Sequence, residues 1–383
     1  MTTPAGRRIR GFGRSDIGRI RERNEDAFAL GDLDAGTLWS GDELIVSDGA
    51  RGLFAVVCDG MGGAAGGEVA SELAVATTWA ELKTGAATDD PEIAARILRR
   101  AVRAANLRVH QESRREPGLR GMGTTLSGCV IAGGYLISAQ IGDSRVYVLR
   151  AGHLVQVTRD QTVGQALRVA GRISEAEAHY LVGGGTILQA LGVAPDVEPS
   201  LSLCALRRGD RVLLCSDGLT NQLGETSIAM ILSDRRGLDA MAQALIDGAC
   251  AVGGYDNITA VVFEVDGDAL PPPSSNPHDD PPSFIEFDPL EEGPAALTST
   301  SFVARRLAAR AGLGPDPGPP VVPVTGAFRR PRSRPRGAAL VRSDEPADLH
   351  GLASARLRPS RRAVWWWLPA VLLAALAGWW LAR

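Results

Sequence analysis

Three short apolar runs in this 383-residue chain each meet an aspartate at one end. Asp59 closes Phe54–Cys58, Asp217 follows Val212–Cys215 one serine later, and Asp256 precedes Ile258–Phe263. Short, often β-branched runs bounded by Gly or Asp read as strands. Acids at the ends of core strands can converge on one edge of a sheet, so the pattern points to a sheet-containing fold in which carboxylates can be gathered. Leu53–Cys58, Thr125–Ala132, Tyr135–Ile141, Val146–Leu149 and Arg211–Cys215 are expected strands, and Ile258–Val265 a closing one. Gly66–Leu82, Pro91–Ser113, Glu225–Ser233 and Leu238–Val252 have the composition and spacing of amphipathic helices. Like elements come in runs rather than in strict alternation. An α+β layered sandwich is therefore expected, not a doubly wound parallel sheet.

Composition sets the outer limits. With 45% apolar and 22% charged residues, the chain cannot be wholly disordered. Its formal net charge of −3 argues against a nucleic-acid binder. Residues 7–265 read as one domain, and residues 266–362 as a proline-rich, disordered linker. The linker is divided by charge. Residues 266–294 hold eight acids and no Lys or Arg, whereas residues 301–362 hold thirteen arginines against four acids. Residues 363–382 carry no charge and have tryptophans at both ends, the pattern of a transmembrane helix with aromatic belts. The arginines before that span place the preceding domain inside the cell. The expectation is a single-pass protein of the cell membrane with a cytoplasmic domain. No apolar run follows Arg7, Arg8 and Arg10, so no signal peptide is expected. The five cysteines form no CxxC pair and are expected as buried, reduced thiols.

Five acidic signatures occur in the first 260 residues. They are Arg21-Glu22-Arg23-Asn24-Glu25-Asp26, Asp59-Gly60-Met61-Gly62-Gly63, Gly142-Asp143-Ser144-Arg145, Ser216-Asp217-Gly218-Leu219 and Asp256-Asn257-Ile258-Thr259. Carboxylates gathered without basic partners repel one another and resist full ionisation. A divalent cation resolves that conflict. None of the five histidines lies in these motifs, so the ligands are oxygens and the metal a hard one. Each fragment alone is an ordinary turn or solvated face. Their order and their placement beside apolar runs carry the signal.

The ordered set resembles the metal-dependent, protein phosphatase 2C-like family over roughly residues 8–265. The resemblance implies a four-layer α-β-β-α sandwich of two antiparallel sheets with helices outside. It implies two Mn²⁺ or Mg²⁺ ions, with a third, weaker site in many members. Asp59 would bridge the two ions, with the Gly60 carbonyl on one of them and Asp217 and Asp256 on the other. Glu25 and Asp26 would hold metal-bound waters, and Asp143 would help hold the third metal. Arg21, four residues before Glu25, matches the family's phosphate-binding arginine, whose planar fork suits a phosphate. The implied reaction is hydrolysis of phosphoserine and phosphothreonine in proteins by a metal-activated water, with no phospho-enzyme.

The chain departs from the family at three places. Met61 stands where eukaryotic members usually have histidine and bacterial members commonly have methionine. Ala64 and Gln161 stand where bacterial members often have histidine. Residues 160–190 correspond to the family's mobile flap. The expected partners are phosphorylated proteins, among them a membrane Ser/Thr kinase, with the membrane itself reached through residues 363–382. The alternative is a catalytically inactive, membrane-anchored docking module of the same fold. An inactive member would lack one or more of the acids, and Asp26, Asp59, Asp217 and Asp256 are all present.

Overall fold

The computed structural model describes residues 7–47, 52–62, 66–85, 88–174, 177, 185–274 and 280–287. The expected transmembrane segment 363–382 and residues 288–362 of the expected linker lie outside these. Among the described residues no helix is long and apolar enough to cross a membrane.

Two sheets form the centre, and every strand pairing in them is antiparallel. The strands are β1 (Arg8–Asp16), β2 (Asp26–Asp32), β3 (Thr37–Trp39), β4 (Ile45–Ser47), β5 (Leu53–Met61), β6 (Gly123–Thr124), β7 (Leu126–Ala132), β8 (Tyr135–Ile141), β9 (Arg145–Arg150), β10 (His153–Gln156), β11 (Ser200–Ala205), β12 (Arg211–Cys215), β13 (Ile258–Asp266) and β14 (Phe284–Phe287). One sheet runs β10-β9-β12-β13-β1-β4. The other runs β14-β11-β8-β7-β5-β2-β3, with β6 paired to β5. The helices are α1 (Gly66–Thr84), α2 (Pro91–Arg115), α3 (Val163–Val169), α4 (Asp217–Thr220), α5 (Glu225–Ser233) and α6 (Leu238–Val252).

The period-two alternation of each strand builds the four layers. In β5, Leu53, Ala55 and Val57 face the other sheet, where they meet Val212 and Leu214 of β12 and Val261 and Phe263 of β13. Phe54, Val56 and Cys58 face the opposite way and pack under α1 and α2, with Ala74, Trp79, Leu98 and Val102. In β13, Ile258, Ala260 and Val262 turn outward beneath α6, against Met241, Leu245 and Ala249. These strands are buried on both faces, which is why their sequences read as continuous apolar runs. The layered α-β-β-α expectation is met. Cys58, Cys129, Cys204 and Cys215 are buried free thiols and Cys250 a partly buried one.

Several elements escaped the sequence reading. β1 is an inner strand carrying Arg8, Arg10 and Arg14, and its apolar pattern is interrupted by Gly11 and Gly13. Those glycines make room for the neighbouring sheet: a Cβ on Gly13 would stand 2.2 Å from the Phe28 ring. β2 begins on Asp26 itself, and β5 continues through Asp59 to Met61 rather than stopping at Cys58.

The linker expectation is corrected at its start. Leu270 is buried and packs against the inter-sheet core, and β14 pairs with β11 at the edge of the larger sheet. Among the acids that mark residues 266–294 as a solvated spacer, Asp280 finds arginine partners on the domain in Arg207 and Arg150, and Glu286 in Arg159.

Candidate active site

All five acidic signatures meet at one end of the sandwich. Asp26 and Asp59 are cross-strand partners in the β2–β5 ladder. Asp217 is the first residue of α4, just after β12, and Asp256 lies just before β13. Asp143 sits in the turn between β8 and β9. The two sheets are joined at this end through Asp26. Its Oδ2 accepts from Ser216 Oγ at 2.7 Å and from Thr259 Oγ1 at 2.6 Å, both from the opposite sheet.

Burial and crowding set the electrostatics. Burial, with Asp217 and Asp256 nearby, pushes Asp26 up to about 7. Burial first, and then Asp26 and Asp217, hold Asp59 well above the usual carboxylate range. Burial also raises Asp217, and burial with Asp217 and Asp160 nearby pushes Asp143 up to about 7. Asp26 Oδ1 and Asp217 Oδ1 are buried and no hydrogen-bond donor reaches either. Buried carboxylate oxygens without donors are costly unless a cation takes them. The donor set is all oxygen, which suits Mn²⁺ or Mg²⁺. Among the described residues no three Asp, Glu, His or Cys side chains form a closed cage for an ion. Arg21 Nη2 donates to Asp256 Oδ2 at 2.8 Å. The fit to a hard cation rests on the all-oxygen donor set and on the two buried carboxylate oxygens that no donor reaches.

The backbone around the acids is tightly built. Gly60 N donates to Glu25 O at 3.1 Å, and a Cβ on Gly60 would stand 2.1 Å from Gly67 O. The Glu25 carboxyl packs against Gly67 at the start of α1, and burial raises its pKa. Arg21 is half exposed at the rim, and its pairing with Asp256 strengthens its hold on its proton.

Sequence reasoning passed over the residues that hold the acids in place. Asn257 Oδ1 accepts from Glu25 N at 2.8 Å, and its Nδ2 donates to Ile17 O and Arg23 O. Asp59 N donates to Thr125 Oγ1, which in turn bonds Ser144 Oγ of the Gly-Asp-Ser-Arg motif. Asn221 Nδ2 donates to Asp217 Oδ2 at 3.0 Å. Asn257 and Ser144 fall inside the quoted motifs, so the signal was present but unassigned. Gln161, where histidine was the comparison, is a buried bracket: its Nε2 reaches Gln140 O and Ser200 Oγ. Of the flap, α3 is described. Residues 175–176 and 178–184 lie outside the described residues.

Fold and site define an α-β-β-α sandwich with a carboxylate centre suited to hard divalent cations. A family model for protein phosphatase 2C matches residues 21–246. The chain is 40% identical over 260 residues to the serine/threonine protein phosphatase PstP of Mycobacterium tuberculosis, covering 67% of this chain and 45% of that protein. It thus spans less than half the length of that relative. It is 35% identical over 256 residues to the serine/threonine phosphatase stp of Listeria monocytogenes, covering 66% of this chain and 94% of that one. Among solved structures, the PstP catalytic domain in complex with two manganese ions aligns with a TM-score of 0.55 and 37% identity, over 68% of this chain and 99% of that one. The S. agalactiae serine/threonine phosphatase aligns with a TM-score of 0.59 and 29% identity, over 67% of this chain and 99% of that one. The chain belongs to the protein phosphatase 2C family.

Proposed function

We propose that this chain is a metal-dependent protein serine/threonine phosphatase that hydrolyses phosphoserine and phosphothreonine in proteins. The observation that carries the reading is the convergence of Asp26, Asp59, Asp217 and Asp256, two of them with buried oxygens that no donor reaches. Asp59, the Gly60 carbonyl, Asp217 and Asp256 would hold two Mn²⁺ or Mg²⁺ ions, with Glu25 and Asp26 holding waters around them and Asp143 beside a third, weaker site. When bound, the ions supply Lewis-acid charge for the phosphoryl oxygens and make water a nucleophile at neutral pH. Arg21 stands beside Asp256 with five N–H donors, one of which the structure uses on that carboxylate, so its fork can also take a phosphate oxygen. No thiol serves as nucleophile: burial pushes the buried cysteines up, which keeps them protonated. The serine or threonine leaving group takes its proton from water.

The apolar segment 363–382 and the arginines before it support a second part of the proposal, a tether to the inner face of the cell membrane. The tether would concentrate the domain near membrane-bound phosphoproteins, a Ser/Thr kinase among them.

The test is phosphate release from a phosphothreonine peptide with Mn²⁺, with Mg²⁺ and with EDTA, beside Asp59→Asn. Turnover that needs metal and is lost in Asp59→Asn is expected. Metal binding without turnover would instead favour the docking-module alternative or a site that needs its own flap-matched substrate. Membrane fractionation of the full chain with and without residues 363–383 tests the tether, and equal recovery in the soluble fraction would end it.

A further inference from the structure

The acidic strand β14 lies beyond the last element expected for the domain, and it holds the segment that leads to the Asp143 turn. On β11, Ser200, Ser202 and Cys204 alternate onto one face. In the antiparallel register Glu286 stands opposite Ser202, and Phe284 opposite Cys204. This face meets residues 157–161 at alternate positions. Ser202 Oγ donates to Val157 O at 2.6 Å, Glu286 pairs with Arg159, and Gln161 Nε2 donates to Ser200 Oγ at 2.9 Å. The next contacts reach the site. Asp160 takes Arg145 through both carboxylate oxygens, and Gln161 exchanges two bonds with Gly142: its N–H to Gly142 O at 2.8 Å, and Gly142 N–H to its Oε1 at 3.1 Å. Gly142 immediately precedes Asp143.

The strand is itself well anchored. Phe284 packs against the core between the sheets. Asp280 accepts from Arg207 at 2.9 Å and from Arg150 at 3.4 Å, and Arg150 is a buried side chain that also forks onto buried Asp210. The Glu286 side chain is only 14% exposed. A carboxylate that far from water needs its partner kept in place.

We propose that residues 280–287 are a positioning element of the site: Glu286, through Arg159, fixes residues 157–161, and these fix the Gly142–Asp143 turn. The segment is therefore part of the working domain, not spacer. The proposal rests on Asp143 belonging to the phosphatase site, but its primary readout is independent of turnover.

The experiment is amide hydrogen exchange on the full chain, comparing wild type, Glu286→Gln, Arg159→Gln and Ser202→Ala. Each single variant is expected to quicken exchange at Gly142 and Gln161 roughly tenfold, as for the loss of one charge-assisted or buried hydrogen bond, with β13 amides unchanged. The exchanged pair, Arg159→Glu with Glu286→Arg, is expected to restore slow exchange. In phosphopeptide hydrolysis, kcat should fall while KM stays near its wild-type value. If the variants loosen only β14 and leave Gly142 and Gln161 as slow as in wild type, the proposal is overturned. The expected exchange pattern in a chain inert toward phosphopeptides would uphold the coupling and overturn the phosphatase reading instead.

Discussion

Asn257 commits its whole side chain to the loop that carries Arg21, Glu25 and Asp26. Its amide donates to two carbonyls and its oxygen accepts from the Glu25 N–H, all in a setting where Asn257 is 5% exposed. Truncation would leave buried backbone groups without partners. Asn257→Ala should therefore cost about 2–4 kcal/mol of stability, read from urea unfolding, and weaken Mn²⁺ binding in calorimetry. Asn257→Asp should be no milder, because a carboxylate keeps the acceptor but turns an oxygen toward the carbonyls of Ile17 and Arg23. Unchanged unfolding in both variants would show that the loop is held by something else. The dipeptide Asp256-Asn257 was visible in the sequence. The division of labour within it was not, since the three partners of Asn257 lie more than 230 residues away along the chain.

At the scale of elements, the site depends on how closely β5 approaches the first turn of α1. Gly60 is the contact point: a Cβ there would meet the Gly67 carbonyl and the Glu25 carbonyl at 2.1 and 2.6 Å, both backbone atoms that cannot swing aside. Gly60→Ala is expected to lose about 3 kcal/mol in guanidinium unfolding and to lose Mn²⁺ binding with it. Near-wild-type stability would mean that α1 can shift without harm to the site. Helices and apolar strands were legible because they are long or uniformly buried. Strand β1 was not, since arginines and glycines mask its alternation until Leu30 and Phe28 of β2 are seen lying over its glycines. Strand β14 was hidden in a proline- and acid-rich stretch, whose composition describes a chain alone and not one facing Arg150, Arg159 and Arg207.

For the whole molecule, the acid cluster makes stability depend on pH and metal together. Burial raises Asp26 from an unfolded value near that of a free carboxylate to about 7 in the fold. Folding then favours its protonated form, so its contribution to stability is full below about pH 4 and is lost as pH rises through about 7. Asp143 acts in the same direction over the same range. In EDTA the melting temperature should fall between pH 6 and pH 8, and saturating Mn²⁺ should remove or reverse that slope, since cation binding favours the ionised cluster. A metal-free melting temperature that rises with pH over this interval would contradict the raised carboxylates. The sequence by itself determined the layered α+β class, the identity of the acids and the preference for a hard cation. Burial period and side-chain chemistry are local properties that survive in one dimension. Which strands close the sheets, which groups hold the acids, and the packing of Leu270 and β14 onto the domain were decided only in the tertiary structure. Those outcomes depend on hydrogen bonds and ion pairs between residues far apart in the chain, which exist only once the sheets have stacked.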